Sequence, residues 1–338
     1  MNWRLLAIPA STIPLIIIAI RFDVKPEDVF AVGLAPFLAA VLAMMGKLFM
    51  QGLKFGYIVR KYLGPIESIW KLSGVKVGSE FIRFTTPMFV GGEFVLIYWL
   101  HKKGFSTPKA SWIAILEIVT DVIAGGLLSI IAGVLALLHG AIVVGVIVLG
   151  TSITVTTIWV ALFFLSTKRT FQIPRGLSIL IKKFGKEKGV NYIQKTNHWM
   201  EEVCIMSREN LRSSQAKKIL VYSFLFSIIS WVFYGISFMA IADGAGYLIN
   251  FFDSLMAVMA ANAIGNLPIT VGGSGLAEFG IVAYLNNLDP FNFEIAKDSV
   301  EWNLIIAWRI ATYYVPIGIT WLLLVKLALS KYTKADII

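Results

Sequence analysis

Long apolar runs constrain this chain more than any other feature of its 338 residues. A transmembrane helix needs about 20 consecutive, mostly apolar residues. Six runs come near that length, namely residues 5–20, 29–50, 110–138, 141–165, 219–241 and 302–325. The first is flanked by arginines that can reach the membrane surface, and no small-residue cleavage site follows it, so we interpret it as an uncleaved span. The pattern predicts an all-α polytopic integral membrane protein with about six full transmembrane spans.

The composition agrees with this prediction. The chain is 57% hydrophobic and 15% charged, whereas soluble domains average about 45–50% and about 25%, so an ordinary soluble enzyme is excluded. A single cysteine, Cys204, excludes an intramolecular disulfide and a cysteine-rich metal site. The three histidines are scattered, and no hydrolase, metalloprotease or phosphate-loop motif occurs. We therefore expect no enzyme activity, no cofactor and no metal.

The basic residues are concentrated in particular connections. Residues 168–218 hold 12 Lys or Arg against four Glu, a net charge of +8 out of the +10 of the whole chain. Two other stretches are basic, 54–76 and 102–109, and three are acidic, 21–28, 243–253 and 289–301. Basic loops lie on the cytoplasmic side. We therefore predict a multi-pass protein of the cell membrane with both termini in the cytoplasm.

Two further apolar segments, 78–100 and 254–288, are broken by proline and glycine. Each lies between connections of the same charge sign, so a single crossing does not fit either of them. Non-helical backbone at membrane depth is tolerated where protein or a wet cavity surrounds it. We therefore predict two re-entrant helical hairpins that enter from opposite sides, the first from the cytoplasm.

The two hairpins share a sequence pattern. Pro87-Met-Phe-Val-Gly-Gly matches Pro268-Ile-Thr-Val-Gly-Gly, and a glutamate, Glu93 or Glu278, follows each stretch. The two prolines are the predicted hinges of the helix breaks. Interrupted apolar segments at corresponding positions of two halves point to a transport site between them.

This correspondence predicts one transmembrane domain over residues 1–338, built as an inverted repeat. The halves are approximately residues 29–165 and 219–329, and the basic cytoplasmic segment 168–218 joins them.

Charged residues inside the spans are the first candidates for substrate binding. Glu117 and Asp121 are four residues apart and share one helix face. Each charge at membrane depth costs at least ~2.5 kcal/mol, which favours a cavity or a partner, although Glu117 also lies near enough to the headgroups to be solvated there. Arg309, about two turns inside the last span, can snorkel outward, pair with Asp121, or hold an anionic headgroup through its bidentate fork.

Residues at the predicted hairpin tips are the second group of candidates. Glycines before a helix start can present backbone N–H groups to a phosphate, and these are Gly91, Gly92, Gly272, Gly273 and Gly275. The alternative is that they only permit a sharp turn and close packing. Glu93 stands where a helix is predicted to begin, which favours a carboxylate, and Glu278, the matching glutamate of the second hairpin, is a candidate binding residue as well. Asn266 lies beside the second break, and Glu80 and Arg83, three apart, are predicted to pair.

The basic segment 168–218 suits a partner of its own. Its lysines at 182–188 are interleaved with apolar residues at 179–184. This pattern is typical of an amphipathic helix on an anionic leaflet, and a solvated cytoplasmic loop is the alternative. Because membrane topology explains the charge, we expect no nucleic-acid binding.

Four elements of the sequence resemble one known family. A Pro-x-x-x-Gly-Gly-x-Gly-x-x-Glu stretch at 268–278 and a Pro-x-x-x-Gly-Gly-Glu stretch at 87–93 are similar to those of the flippase-like family related to the transmembrane domain of lysylphosphatidylglycerol synthases. The other two elements are Glu117 with Asp121, and Arg309 with Thr312, Tyr313 and Pro316. Together the four cover residues 87–316, most of the chain.

The resemblance implies translocation of a lipid made elsewhere rather than aminoacylation, and it adds Tyr313 to the candidate binding residues. Two positions depart from the family pattern. The arginine that commonly follows the first Gly-Glu is absent, since residues 95–97 are Val-Leu-Ile, and Ile118 stands where the family has arginine. These departures leave the identity of the lipid open.

The leading hypothesis is a flippase- or scramblase-like translocator of an anionic or glycosylated lipid. Its headgroup, which we expect to contain phosphate, would cross through a polar intramembrane cavity between the halves. The alternatives are an ion-coupled secondary transporter of a small solute and a membrane enzyme acting on a lipid phosphate. The sequence leaves the oligomeric state open, a homo-oligomer included.

Overall fold

The computed structural model describes residues 31–86, 91–267, 269–286 and 299–329, together with Ile16, Ile20 and Glu27. In chain order the helices are α1 (Leu34–Leu63), α2 (Ile69–Phe84), α3 (Gly92–Lys102), α4 (Thr107–Leu138), α5 (Ile142–Ser166), α6 (Arg175–Leu211), α7 (Ser214–Gly244), α8 (Phe251–Gly265), α9 (Leu276–Asn286), α10 (Ser299–Arg309) and α11 (Val315–Leu329). A π-helical turn, Ile310–Tyr314, joins α10 to α11.

Five of these helical stretches are long and apolar enough to cross a membrane. They are α1, α4, α5, α7 and the stretch Trp302–Leu327 within α10–α11. The remaining apolar helices are shorter, and two of them, α8 and α9, follow one another in the chain. The prediction of an all-α polytopic membrane protein is confirmed. The sixth predicted span, residues 5–20, lies outside the described residues except for Ile16 and Ile20.

The segment 54–76 departs from its prediction as a basic cytoplasmic loop. Helix α1 continues to Leu63, and α2 begins at Ile69. Lys54 and Lys76 are both 0% exposed. The loop is therefore only residues 64–68, and its predicted cytoplasmic side stays a prediction. The prediction was wrong for Lys54 and Lys76 because they have buried carboxylate partners, which charge counting along the chain does not reveal.

Helices α2 and α3 form the first hairpin, whose two ends meet. Lys103, just after α3, places its Nζ 2.5 Å from Oε1 of Glu67, just before α2, and Lys71 Nζ lies 2.8 Å from the same oxygen. Partial burial raises the pKa of Glu67, but hydrogen bonds from Lys103 and Lys71 outweigh it and hold that pKa below its ordinary value. The hairpin therefore begins and ends at the same end of the helical bundle.

Helices α8 and α9 form the second hairpin, and their contacts run antiparallel. Near the tip, Gly265 of α8 lies against Ala277 of α9, and farther from it Gly280 packs on Ala261. A Cβ built on Gly280 would lie 3.0 Å from the Cα of Ala261, so the small residues allow the two backbones to approach closely. The Asn250 side chain caps α8 by accepting a hydrogen bond from the Asp253 N–H.

The two hairpins begin at opposite ends of the bundle. Helices α1 and α7 are antiparallel, with Gly244 of α7 on Pro36 of α1 and Gly46 of α1 on Phe233 of α7. Helices α1, α4, α5 and α7 are each long enough to traverse a membrane once. Counting these passages places the start of α2 at one end and the start of α8 at the other, as predicted. That the halves 29–165 and 219–329 form an inverted repeat stays a prediction.

The predicted amphipathic segment forms helix α6, which lies where α4 begins and α5 ends. Trp199 Nε1 donates to Ser111 Oγ at 3.2 Å, and Ser207 Oγ lies 2.7 Å from Ser166 Oγ. Helix α6 therefore lies at the end of the bundle from which the first hairpin enters.

Candidate intramembrane binding site

A cavity of about 390 Å³ lies between the two hairpins. Its walls come from α1 to α5, α7, α8 and the π-helical turn with the arginine before it. The charged side chains that line it are Lys47, Glu80, Arg83, Glu93, Asp121 and Arg309. One wall includes Phe94, which is 71% exposed, so the cavity reaches the outer face of the bundle.

Beneath the cavity, α1, α2 and α4 join through buried lysines. Lys54 Nζ lies 3.0 Å from Glu117 Oε1 and also donates to Ser227 Oγ at 3.0 Å. Lys76 Nζ lies 2.6 Å from Glu80 Oε1 and 3.3 Å from Glu117 Oε2. Glu117 thus lies between two ammonium groups, and it is a structural centre of the network rather than a lining residue.

The network reaches the cavity wall through Asp121 and Arg83. Asp121 Oδ1 lies 3.6 Å from Lys54 Nζ, and Oδ2 lies 3.6 Å from Arg83 Nη2. Arg83 Nη1 is 3.6 Å from Glu80 Oε2, which confirms the predicted pair between Glu80 and Arg83. Asp121 and Arg83 therefore present charge to the cavity while each remains paired behind it.

On the opposite side of the site, Arg309 is held by the second hairpin. Its Nε lies 2.8 Å from Glu278 Oε1, and its Nη2 donates to the Gly272 carbonyl and, at 3.3 Å, to Ser274 Oγ. Arg309 is 2% exposed, which excludes snorkelling. Of the two remaining alternatives, this structure shows a buried ion pair, made with Glu278 rather than with Asp121.

Tyr313 connects the tips of the two hairpins. Its hydroxyl donates to the Phe84 carbonyl at the end of α2, at 2.7 Å. A Cβ built on Gly272 would lie 2.0 Å from the same hydroxyl oxygen, and the Arg309 guanidinium carbon lies 4.0 Å from the ring centroid. Tyr313 belongs to the π-helical turn, a local departure from α-helix that is often found at functional sites.

Each hairpin begins its second helix with an internal carboxylate cap. Glu93 Oε2 accepts from the Gly91 N–H at 2.9 Å, and Glu278 Oε2 accepts from the Gly275 N–H at 2.7 Å. A helix start attracts negative charge. In both hairpins the carboxylate of the chain itself occupies a donor that the sequence analysis assigned to a phosphate.

Lys47 lines the cavity from α1, and none of the described carboxylates lies within ion-pair distance of it. Its Nζ lies 4.5 Å from the ring centroid of Trp231 and 4.8 Å from that of Tyr234, both on α7. The residue is 8% exposed and lines the cavity. Cation–π attraction to two rings partly replaces the hydration that burial removes.

The structure divides the predicted site residues into two groups. Those that line the cavity are Asp121, Glu93, Asn266, Arg309 and Tyr313. Those that support the site from outside its lining are Glu117, Glu278, Gly91, Gly92, Gly272, Gly273 and Gly275. Pro87 and Pro268, the predicted hinges, lie outside the described residues.

Sequence reasoning missed three lysines, Lys47, Lys54 and Lys76. A signal was present, because Lys47, Gln51 and Lys54 are spaced four and three apart and form a polar stripe on one face of an otherwise apolar helix.

Across the described ranges, no group of three His, Cys, Asp or Glu side chains could hold a metal ion.

The structure combines membrane-length helices with two antiparallel hairpins of short helices, and an ionic cavity lies between the hairpins. These features define the class as a polytopic membrane protein with a charged cavity among its helices. A family model, described as the lysylphosphatidylglycerol synthase transmembrane region, matches residues 25–319. The chain therefore belongs to that family, which confirms the resemblance found in the sequence. Among proteins of curated function, a search finds no match to the chain.

Proposed function

We propose that this protein translocates a membrane lipid by passing its anionic or glycosylated headgroup through the cavity while the tails stay in the bilayer. Membership of the family supports a role in lipid handling. The observation that carries the proposal is a strongly ionic cavity that reaches the apolar outer face of the bundle.

The position of the cavity wall favours a lipid over a water-borne solute. Helix α5 contributes Thr151 and Trp159 to the wall, while its neighbouring side chains Ile153 and Ile158 are 49% and 52% exposed on the outside of the bundle. Phe94 of α3 is both a wall residue and an exposed one. A lipid can therefore place its headgroup inside this wall and keep its tails outside it.

The charges suit a polar headgroup at membrane depth. In and around the cavity, five cations face five carboxylates; the cations are Lys47, Lys54, Lys76, Arg83 and Arg309, and the carboxylates are Glu80, Glu93, Glu117, Asp121 and Glu278. Their formal charges sum to zero, so the site has no net formal charge. A headgroup entering it exchanges water for fixed charges, which lowers the cost of crossing the apolar core.

The contact at Tyr313 is where we expect the two halves to separate during alternating access. The tips of both hairpins meet there, so rocking one half against the other would separate Phe84 from Tyr313 and redirect the cavity. Rigid-body rocking of this kind is common in transporters with discontinuous helices.

Helix α6 supports the same activity at the membrane surface. Its residues Ile179, Leu180 and Phe184 are exposed, as are the neighbouring Lys182 and Lys183. Exposed apolar side chains beside lysines suit contact with an anionic leaflet. We place this surface of α6 on the cytoplasmic leaflet.

Lipid transfer in proteoliposomes tests the proposal. Short-chain fluorescent lipids with varied headgroups are loaded, and a membrane-impermeant quencher reports which molecules have reached the outer leaflet. Wild type is compared with Asp121→Asn, which removes a cavity charge, and with Glu67→Gln, which removes two ion pairs outside the cavity. We expect transfer by wild type and Glu67→Gln and a loss of about tenfold or more in Asp121→Asn. No transfer with any headgroup, or equal transfer by all three proteins, would contradict the proposal.

A further inference from the structure

The five cations of the site, four of them buried and Arg83 with 23% of its side chain exposed, differ in their partners. Four of them lie within ion-pair distance of a carboxylate: Lys54, Lys76, Arg83 and Arg309. Among the residues that the structure describes, Lys47 has neither an ion-pair nor a hydrogen-bond partner, and its Nζ lies only over the rings of Trp231 and Tyr234. It is also more than nine-tenths buried and lines the cavity.

An ammonium group carries three N–H donors and no acceptor. Ring faces attract its charge but accept its hydrogen bonds poorly, and a buried charge without hydrogen-bond partners is costly. The nearby carboxylate of Asp121 is already paired with Lys54 and Arg83. Lys47 thus lines the cavity with donors that meet no acceptor among the described residues.

Three other anion-binding positions of the site are occupied by the chain itself. The Gly91 and Gly275 N–H groups donate to Glu93 and Glu278. Arg309 is engaged by Glu278 and by the Gly272 carbonyl. An anion that enters the cavity meets an open set of donors at Lys47.

We propose that Lys47 binds the phosphate oxygens of the translocated ligand, with the Trp231 and Tyr234 rings holding its ammonium group toward the cavity. This inference rests on the proposed function and names the part of the headgroup that the site recognises. The shared chemistry is a phosphate, which a lipid headgroup or free inorganic phosphate can supply.

Thermal unfolding of the detergent-solubilised protein tests this assignment with three probes: phosphatidylglycerol, a diacylglycerol glycolipid without phosphate, and inorganic phosphate. The variant is Lys47→Met, and the matched control is Lys103→Met. Lys103 also lies over a tryptophan ring, Trp99, at 5.6 Å, but it is paired with Glu67 and does not line the cavity.

We expect phosphatidylglycerol to raise the Tm of wild type and of Lys103→Met. For Lys47→Met we expect an apparent affinity at least about tenfold weaker, which is ~1.4 kcal/mol. The glycolipid should not distinguish the three proteins. If inorganic phosphate raises the Tm as much as phosphatidylglycerol does, the phosphate site is retained, but a lipid as the source of the phosphate is contradicted. Equal affinity of Lys47→Met and wild type for phosphatidylglycerol would overturn the assignment.

A second measurement needs no variant and covers the case in which Lys47→Met does not fold. Wild type is reductively methylated with formaldehyde and borohydride, and each lysine is followed by mass spectrometry. We expect phosphatidylglycerol to lower labelling of Lys47 several-fold and to leave Lys103 unchanged, and equal labelling of Lys47 with and without this lipid would overturn the assignment. Protection of Lys47 in a protein that transfers no lipid would retain the phosphate site and reject the proposed function. Lipid transfer by a protein in which phosphatidylglycerol does not protect Lys47 would retain the proposed function and reject the phosphate site.

Discussion

The two hairpins use the same backbone device with very different side chains. Both begin their second helix with a glycine N–H held by a glutamate, Glu93 in one and Glu278 in the other. The first hairpin adds Lys76, Glu80 and Arg83 to the charges of the site, whereas the described part of the second hairpin carries only one charge besides Glu278, namely Asp253 at the far end of α8 from the tip. The backbone thus sets where the helices break, and the side chains decide what each half contributes to the cavity.

The two halves also differ in how many ion-pair partners their buried charges have. In the first half Glu117 has two lysine partners, and Asp121 has a lysine and an arginine. In the second half Arg309 and Glu278 form a single pair. Removing one charge should therefore be tolerated better in the first half than in the second.

The largest effect is expected from breaking the pair of the second half. Arg309→Met or Glu278→Leu alone leaves an unpaired buried charge, which costs roughly 3–5 kcal/mol of unfolding free energy. The double variant Arg309→Met with Glu278→Leu should recover most of that loss, because neither charge remains. Denaturant unfolding in detergent measures all three. Losses that simply add in the double variant would show that the pair is not the stabilising unit.

A smaller effect is expected from a side chain at the second tip. Gly272 has φ +59°, and an added Cβ would meet the Tyr313 hydroxyl at 2.0 Å, so Gly272→Ala should cost roughly 2 kcal/mol or more. Gly140 also has a positive φ, +83°, but open space around it, so Gly140→Ala should cost about 1 kcal/mol from backbone strain alone. Equal Tm values for the two variants would argue against close contact between Tyr313 and the tip.

Asp121→Asn measures the redundancy of the first half. In this variant Lys54 still pairs with Glu117, and Arg83 still pairs with Glu80. We therefore expect the free energy of unfolding to fall by about 1 kcal/mol, well below the loss in either single variant of the Arg309–Glu278 pair. The same unfolding assay checks this. A loss as large as that of Glu278→Leu would mean that the network is no more tolerant than the isolated pair.

The smallest effect concerns pH and the ends of the first hairpin. The pKa of Glu67 lies below its ordinary value in the folded protein. Its stabilising contribution is therefore complete above that ordinary value and is lost as the pH falls through the lowered one. Between about pH 6 and about pH 3 the Tm of wild type should fall more than that of Glu67→Gln. Parallel Tm curves for the two proteins would show that the ion pairs of Glu67 do not stabilise the hairpin.

Much of the fold could be predicted from the sequence because it depends on local patterns. Apolar runs of membrane length, the glycine-rich tip and the helix start at Leu276 are all features of neighbouring residues. The pair between Glu80 and Arg83 is likewise local, three residues apart on one helix.

The site was harder to predict because its partners are distant in the chain. Lys54 and Glu117 are 63 residues apart, and composition alone made Lys54 and Lys76 look like surface lysines of a basic loop. For Arg309 the sequence predicted snorkelling, a pair with Asp121 or contact with a headgroup, and the ion pair that the structure shows, with Glu278, was not among these alternatives. A polar stripe within an apolar helix, as on α1, is the sequence signal that most deserved an intramembrane interpretation.

Site-directed crosslinking tests most directly whether a lipid headgroup enters the cavity. The only cysteine, Cys204, is replaced by serine, and single cysteines are placed at Ser152, a cavity residue, or at Ile153, the adjacent residue on the outer face of α5. The probe is phosphatidylethanolamine with a maleimide on its headgroup. We predict that Ser152→Cys reacts with this lipid and that Ile153→Cys, at the same depth but facing the tails, does not. Failure of Ser152→Cys to react beyond the level of Ile153→Cys would contradict lipid entry into the cavity.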